Sequence, residues 1–321
     1  MNIGIVGYGN VGKSCERIAQ SSKDVTLVGI FTKRNPKALT SPYNSMIYSQ
    51  GELDDFVGKI DVLVLCAGSA TDLVPLSLKL GKSFNTVDSF DNHSKMRRYV
   101  SDLDMVAKEC NHLSIVGAGW DPGLFSLARG LFEGVLGGEA VTFWGKGVSQ
   151  GHSEAIRRID GVKMAVQYTI PNEEALESVY RGCCDGLSVY DRHKRVCYVV
   201  AENDCNKNQI EETIKNMPNY FKGYKTEVYF VDEQEFRSCH SEMSHGGRVI
   251  WSGNTGGHNS LLEMSMKTQS NPDFTASVLM AYAKCAYRMY ENGERGVKTI
   301  LDIPLRMLFD LDGLDIIEKY L

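Results

Sequence analysis

The sequence holds no apolar run long enough to span a bilayer, no internal repeat and no low-complexity linker. It also lacks an excess of basic charge. Its 35 Lys and Arg stand against 40 Asp and Glu, for a formal net charge of −5. That balance excludes a general nucleic-acid binder and a basic membrane-binding face. Cysteine is present but does not form a framework. There are 9 cysteines, an odd number and scattered, with Cys183 and Cys184 adjacent and no CxxC or His–Cys spacing suited to zinc. No metal is expected, and most of the thiols are expected to be buried small hydrophobes in a reducing compartment. A first strand read at Ile3 predicts neither signal nor transit peptide, so the expected location is the cytoplasm. The length of 321 residues, with 43% hydrophobic and 23% charged content, suits a soluble globular chain of two domains, or of one with a large insertion.

What is there begins with a strand at Ile3, then Gly7-Tyr8-Gly9-Asn10-Val11-Gly12, then a helical stretch. A second strand, Val25 to Phe31, ends in Thr32-Lys33-Arg34. In that order the parts build a phosphate cradle. The first glycine permits the tight turn, the second lets the backbone approach a pyrophosphate, and the third lets the helix pack close on the strand. Free N–H groups at the helix start then face the anion. The tip of the second strand selects the dinucleotide: a ribose 2′-OH calls for Asp or Glu, whereas a 2′-phosphate calls for a hydroxyl and cations. Thr32, Lys33 and Arg34 stand there with no carboxylate, and the Arg fork matches phosphate oxygens. Two cations alone would equally suit a solvated loop. With the fingerprint upstream, the sequence predicts NADP.

Residues 1–118 read as strands alternating with helices. Asp61 to Ala67 is a short apolar run suited to a parallel strand buried on both faces, and it ends in Gly68-Ser69-Ala70-Thr71-Asp72. Strands at Ser83 to Val87 and Leu113 to Val116 lead into polar or glycine-rich loops, Asp88 to His93 and Gly117 to Gly123. Doubly wound sheets bind ligands at such carboxyl ends. From about residue 124 the texture changes. β-like stretches at 140–144, 196–200, 226–231 and 248–252 no longer alternate regularly with helices. The predicted architecture is α/β: a Rossmann-type dinucleotide-binding domain over 1–118 and an α+β substrate and dimerisation domain over 119–272. A helical pattern of small and apolar residues (Ala276, Leu279, Ala283, Ala286, Met289) opens a segment from about 273 to 321. That segment is expected to pack back on the first domain.

Several segments are more specific than the fingerprint. They are Asp88-Ser89-Phe90-Asp91-Asn92-His93, Gly119-Trp120-Asp121-Pro122-Gly123, Thr142-Phe143-Trp144-Gly145 with Ser149-Gln150-Gly151-His152-Ser153, Met243-Ser244-His245-Gly246-Gly247, and Asn271 to Ser277. Together they resemble the meso-diaminopimelate dehydrogenase family. The resemblance runs from Gly7 to at least Ser277, with no catalytic motif of the family missing. It implies an NADP-dependent enzyme that oxidatively deaminates the D-centre of meso-2,6-diaminopimelate. The products would be L-2-amino-6-oxopimelate, ammonia and NADPH, in a reversible step feeding lysine and cell-wall synthesis. It also implies a homodimer. Closure of the two domains around the substrate is expected because such sites often lie between domains.

In such a reaction hydride leaves the α-carbon for the nicotinamide, and water hydrolyses the resulting imine. An ammonium cannot drive this step, because its lone pair is tied up by the proton. A carboxylate must hold the amine and help remove that proton. Asp91 and Asp121 are the candidates, each in a loop at the carboxyl end of a strand, and which of them takes the proton is left open. Without the family they also suit a helix cap before Asn92 and a Pro-Gly turn.

The resemblance places Thr169, Arg195 and His245 on the distal carboxylate, with Asn271 close to the same end. Arg grips a carboxylate through parallel hydrogen bonds, and Thr and His add donors. Taken alone, Arg192-His193-Lys194-Arg195 reads as a solvated basic turn, and Thr169 as an ordinary strand threonine. Trp120 and Trp144 are expected to wall the pocket. Gln150 and Gly151 open a helix whose backbone N–H groups would receive the reacting carboxylate. His152 beside them reads as a surface histidine, with an acid–base role in hydrolysis left open. The match puts Tyr8, Gly9, Asn10 and Val11 at the pyrophosphate, flanked by Gly7 and Gly12, and Thr32, Lys33 and Arg34 at the 2′-phosphate. Along the nicotinamide half it puts Cys66, Ala67, Gly68 and Ser69, then Ser89, Phe90 and Asp91, then Ala118, Gly119, Trp120, Asp121 and Pro122.

Three rival functions fit the first domain. An aspartate-semialdehyde dehydrogenase needs an activated cysteine with a partner histidine, and a dihydrodipicolinate reductase needs paired histidines beside a lysine. The sequence shows neither. A non-catalytic NADP sensor of the same fold has little use for a two-ended substrate pocket.

Overall fold

The computed structural model describes residues 1–69, 71–183, 186–240 and 242–321. Ala70 of the small-residue loop and Cys184 of the adjacent pair therefore lie outside the described residues. The chain divides into two compact units, one made of Met1–Leu127 and Pro272–Leu321, the other of Ala128–Asn271.

In chain order, β1 (Asn2–Val6), α1 (Asn10–Ser21), β2 (Thr26–Thr32) and β3 (Ile47–Ser49) come first. Next are β4 (Val62–Leu65), α2 (Leu73–Leu80), β5 (Asn85–Asp88), α3 (His93–Glu109), β6 (Leu113–Val116) and α4 (Leu124–Leu136). Then follow β7 (Val141–Trp144), β8 (Gly147–Val148), α5 (Gln150–Arg157), β9 (Val162–Pro171) and α6 (Glu173–Tyr180). They are succeeded by β10 (His193–Ala201), α7 (Lys207–Lys215), β11 (Lys225–Phe230), α8 (Glu233–Cys239), β12 (His245–Thr255) and β13 (His258–Thr268). The chain closes with α9 (Asn271–Glu291), β14 (Gly296–Thr299) and α10 (Gly313–Tyr320).

The first unit is built on a parallel sheet of 7 strands in the order β14-β6-β5-β4-β1-β2-β3. Removing β14 leaves the Rossmann order, reversing direction between β1 and β4. Strand side chains alternate between the two faces. Ile3, Ile5, Val62 and Val64 point into a core shared with Leu279, Ala283 and Ala286 of α9. Leu63 and Leu65 point the other way, among Leu76, Leu80, Tyr99 and Leu103. Both faces are covered, so these strands read as continuous apolar runs, as the sequence predicted.

The second unit holds a sheet in the order β11-β10-β9-β8 and another in the order β13-β12-β7. In the first, β10 pairs antiparallel with β9 and parallel with β11. Ile156 of α5 and Ile210 and Ile214 of α7 pack against Cys197 and Val199 of that sheet. Leu176 and Val179 of α6 pack against Phe143 and Ile250 of the other. The fold class is the predicted one: a parallel Rossmann-type sheet plus mainly antiparallel sheets.

One expectation fails. Among the described cysteines, Cys15, Cys197 and Cys285 are buried, but Cys66, Cys110 and Cys205 are half-buried, and Cys183 and Cys239 are exposed. Most of these thiols are therefore not buried core. Three of them sit in or beside turns, where the chain runs over the surface. Among the described residues no helix is long and apolar enough to cross a membrane.

Candidate active site

In the first unit the candidate residues collect at the carboxyl ends of β1, β2, β4, β5 and β6. Gly7 turns with φ +98, and a Cβ there would meet the Cys66 carbonyl at 2.9 Å. At Gly12 a Cβ would stand 2.1 Å from the Gly7 carbonyl, so only glycine lets α1 approach this strand end. At Gly9, by contrast, a Cβ would meet nothing within 4 Å. Gly9 is also the N-cap of α1 and supplies no side-chain cap to the helix's first N–H groups. Open backbone and an uncapped helix start are what a pyrophosphate requires.

At the strand tip, Thr32 is buried and its hydroxyl accepts the Arg34 N–H at 3.1 Å. Lys33 and Arg34 are exposed. The Arg34 guanidinium donates to the Tyr8 carbonyl, which brings the tip of β2 to the glycine turn. Lys33 Nζ lies 3.0 Å from Asp72 Oδ1, so a carboxylate does reach this cation, from a loop distant in sequence. Sequence reasoning also missed Glu16. It is fully buried on α1, and it accepts the Tyr8 hydroxyl at 2.5 Å and the Ser41 hydroxyl. Burial and this carboxylate push the Tyr8 phenol up to about 12.

The two candidate catalytic carboxylates sit in neighbouring loops. Asn92, rather than Asp91, caps α3 by accepting the Lys95 N–H, so the exposed Asp91 side chain is not spent on capping. Asp121 and Trp120 belong to a tight turn. Gly119 N–H donates to the Pro122 carbonyl at 3.1 Å, Phe125 N–H donates to the Trp120 carbonyl at 2.8 Å, and the Trp120 ring meets Phe125 edge-on at 5.4 Å. A Cβ at Gly123 would fall 1.5 Å from the Gly119 carbonyl, which explains the glycine. Beneath both loops lies Asp88, at the end of β5. It is fully buried, and that burial raises its carboxyl to about 6.

In the second unit, Thr169 on β9 and Arg195 on β10 face each other directly in register. Both are buried, and the guanidinium donates to the Thr169 hydroxyl. The solvated-turn reading of Arg192 to Arg195 is thus corrected. These residues open a strand, and its alternation turns His193 and Arg195 inward. Arg195 lies over the Tyr224 ring at 4.2 Å, and no carboxylate pairs with it among the described residues. Burial holds the guanidinium below its usual range. Gly147 pairs with Thr169, and a Cβ on Gly147 would touch the His245 ring at 2.6 Å, so His245 joins the group. Burial first, then the Arg195 charge, lowers His245 and brings His152 and His193 down to about 3. Neutral imidazoles therefore surround the cation.

Trp144 ends β7, and its indole stacks on the His193 ring with centroids 5.1 Å apart. Gln150 and Gly151 open α5 after Ser149, which provides no side-chain cap, and Gln150 Nε2 reaches Met243 Sδ at 3.7 Å. Asn271 N–H donates to the Met243 carbonyl at 3.0 Å. His152 is not the expected surface histidine. It is held edge-on by Tyr220 and Phe221 at 5.3 and 5.5 Å, with Nδ1 2.7 Å from the Ser149 hydroxyl. His193 and Tyr224 were not foreseen, and neither was Gln167, whose Nε2 lies 3.4 Å from the Thr169 hydroxyl.

Residues 119–270 match the family model described as the diaminopimelic acid dehydrogenase C-terminal domain. The meso-diaminopimelate D-dehydrogenase of Ureibacillus thermosphaericus is 47% identical over 310 residues, covering 96% of this chain and 95% of that protein. The structure of C. glutamicum DAP dehydrogenase in complex with DAP superposes with a TM-score of 0.94 at 41% identity, over 100% of this chain and 99% of that one. An engineered D-amino acid dehydrogenase bound to NADP+ superposes at 0.91 with 40% identity and the same coverage.

Proposed function

The chain belongs to the meso-diaminopimelate D-dehydrogenase family, and from that membership we propose how its residues divide the work. It is an NADP-dependent amino-acid dehydrogenase. It oxidatively deaminates the D-centre of meso-2,6-diaminopimelate to L-2-amino-6-oxopimelate and ammonia, with NADPH formed, in a reversible reaction whose reverse serves lysine biosynthesis.

One observation carries the assignment of roles: Arg195 is a buried guanidinium with no carboxylate partner among the described residues. Burying an unpaired charge is costly, so such a site calls for an anion. The distal carboxylate of the substrate is that anion. The Thr169 hydroxyl already accepts from Arg195 and lies near Gln167 Nε2, which leaves its own proton to donate to the substrate. His245 and Asn271 complete this end. Trp144 and Trp120 shape the walls, and the uncapped N–H groups at Gln150 and Gly151 receive the reacting carboxylate.

The Gly7–Gly12 turn holds the pyrophosphate, and Thr32, Lys33 and Arg34 hold the 2′-phosphate. Cys66 to Ser69, Ser89 to Asp91 and Ala118 to Pro122 line the nicotinamide half. Bound there, NADP supplies the hydride acceptor. Asp91 and Asp121 hold the substrate ammonium and take its proton, freeing the lone pair that expels hydride from the α-carbon. Water then hydrolyses the imine. We further propose a homodimer in the cytoplasm, with interface residues from the second unit, which sedimentation of the purified protein tests.

The direct test of the function is NADPH formation at alkaline pH with meso-diaminopimelate, with the LL isomer, D-alanine and NAD as controls. Turnover of the meso compound with NADP alone is the expected result. Equal turnover of D-alanine would refute distal recognition by Thr169, Arg195 and His245, and binding of NADP without turnover would support a sensor.

A further inference from the structure

We propose that Asp88, a residue that touches neither substrate nor cofactor in the reading above, is the positioning residue that sets the Asp91 and Asp121 loops relative to each other. The inference rests on those two carboxylates being catalytic. Asp88 Oδ1 accepts the Phe90 N–H at 2.9 Å, one residue before Asp91, and the Gly117 N–H at a longer 3.4 Å. Its main-chain carbonyl accepts the Ala118 N–H at 2.8 Å, three residues before Asp121. Oδ2 accepts the Tyr99 hydroxyl, and Tyr99 packs on the fully buried Phe90 ring at 4.7 Å. One side chain therefore ties the loop after β5, the loop after β6 and helix α3 to a single point.

Chemistry explains the choice of residue. A carboxylate only accepts, so facing backbone N–H groups and a phenol it fixes every donor in one direction. Yet a buried carboxylate without a cation is a poor way to gain stability, and an apolar residue of similar volume commonly serves as well or better. What the carboxylate adds is placement. The loops it joins each carry a group that must meet the same amine, where a displacement of about 1 Å can cost about 100-fold in rate.

The test compares Asp88→Ala, Asp88→Asn and Tyr99→Phe with the parent enzyme, each normalised to the fraction that binds NADPH. The substrate is meso-diaminopimelate with protium or deuterium at the D-centre. Asp88→Ala is expected to lower kcat about 100-fold and to raise the isotope effect on kcat, because the chemical step becomes limiting. Asp88→Asn keeps an oxygen toward Phe90 and Gly117 and is expected to recover kcat to within about 10-fold of the parent. A kcat for Asp88→Ala close to the parent's, or an Asn variant as slow as the Ala variant, would overturn the proposal. Should Asp88→Ala not fold, Tyr99→Phe decides: a lower kcat with a raised isotope effect supports it, and parental values overturn it. Asp91→Asn and Asp121→Asn are measured alongside. If both keep turnover, the catalytic reading itself fails and takes this inference with it. If they lose turnover while the Asp88 and Tyr99 variants do not, only the inference fails.

Discussion

The Trp144 backbone N–H donates to His193 Nε2 at 2.7 Å, while the two rings lie stacked at an angle of 22°. The accepting nitrogen must carry a lone pair, so His193 is neutral with its proton on Nδ1, facing the Val189 carbonyl at 3.4 Å. His193 thereby fixes both the backbone and the ring of Trp144, which is proposed to wall the pocket. His193→Phe keeps the stacking but leaves the Trp144 N–H without its acceptor, a loss of about 1–3 kcal/mol. The expected outcome is a lower unfolding midpoint in urea and a higher KM for meso-diaminopimelate, with NADP affinity unchanged.

Acid should unfold the second unit through its histidines. His152 and His193 are held near 3, below the ordinary value of about 6.5. The unfolded chain therefore binds protons that the folded chain refuses. The stability these neutral rings confer is complete above about pH 6.5 and falls as pH drops toward 3. Urea titrations at pH 7.5 and 5 should show that loss in the parent and a smaller one in His152→Gln.

Removing Arg195, the proposed distal cation, should separate substrate from cofactor. Arg195→Met deletes charge-assisted hydrogen bonds worth about 1.5–3 kcal/mol each, so KM for meso-diaminopimelate should rise about 100-fold. NADP affinity, read by fluorescence titration, should stay at the parental value. Equal losses for both ligands would remove Arg195 from the distal site.

The strand tip should set cofactor preference. Replacing Lys33 and Arg34 together by Ala removes the cations proposed to face the 2′-phosphate, and the NADP-over-NAD ratio of kcat/KM should fall about 100-fold. Asp72→Asn frees Lys33 from its carboxylate and should move the ratio modestly the other way. An unchanged ratio in the double variant would show that the tip does not read the phosphate.

Asp88 runs opposite to the histidines. Its folded value of about 6 lies above the ordinary one near 3.9, so between them the folded state holds the extra proton. Stability from this group falls as pH rises from about 4 to about 6, by roughly 3 kcal/mol, and is level above that. Asp88→Asn does not titrate. It should unfold at higher urea than the parent at pH 7.5, with the advantage shrinking at pH 4.5.

The cradle was legible because its parts are local: a strand, three glycines, a helix and a strand tip within the first thirty-four residues. Arg195 was legible through the family resemblance but not from its neighbours, for a physical reason. In Arg192-His193-Lys194-Arg195 the side chains alternate in burial, with His193 and Arg195 buried and Lys194 turned to Glu227 on the other side at 3.3 Å. Four polar residues in a row conceal that period of two, and only the partner strands reveal it. Strand β13 escaped notice because most of its residues are exposed, which erases the apolar alternation a strand usually displays. Asp88 was passed over as a loop residue, since sequence names a carboxylate without naming the N–H groups it will meet. Glu16 is the same case, its partners at Tyr8 and Ser41 lying on either side of it in the chain.

Thr169 and Arg195 oppose each other across β9 and β10 through side chains alone, while the strands are held together by backbone hydrogen bonds along the whole ladder. Either side chain can therefore change without dismantling the sheet that presents it. The carboxylates proposed for the D-centre, Asp91 and Asp121, are encoded far from both strands in the chain. For a lineage this arrangement is permissive. On the proposed roles, mutation can rewrite the distal contacts one codon at a time while the sheet that presents them is inherited intact.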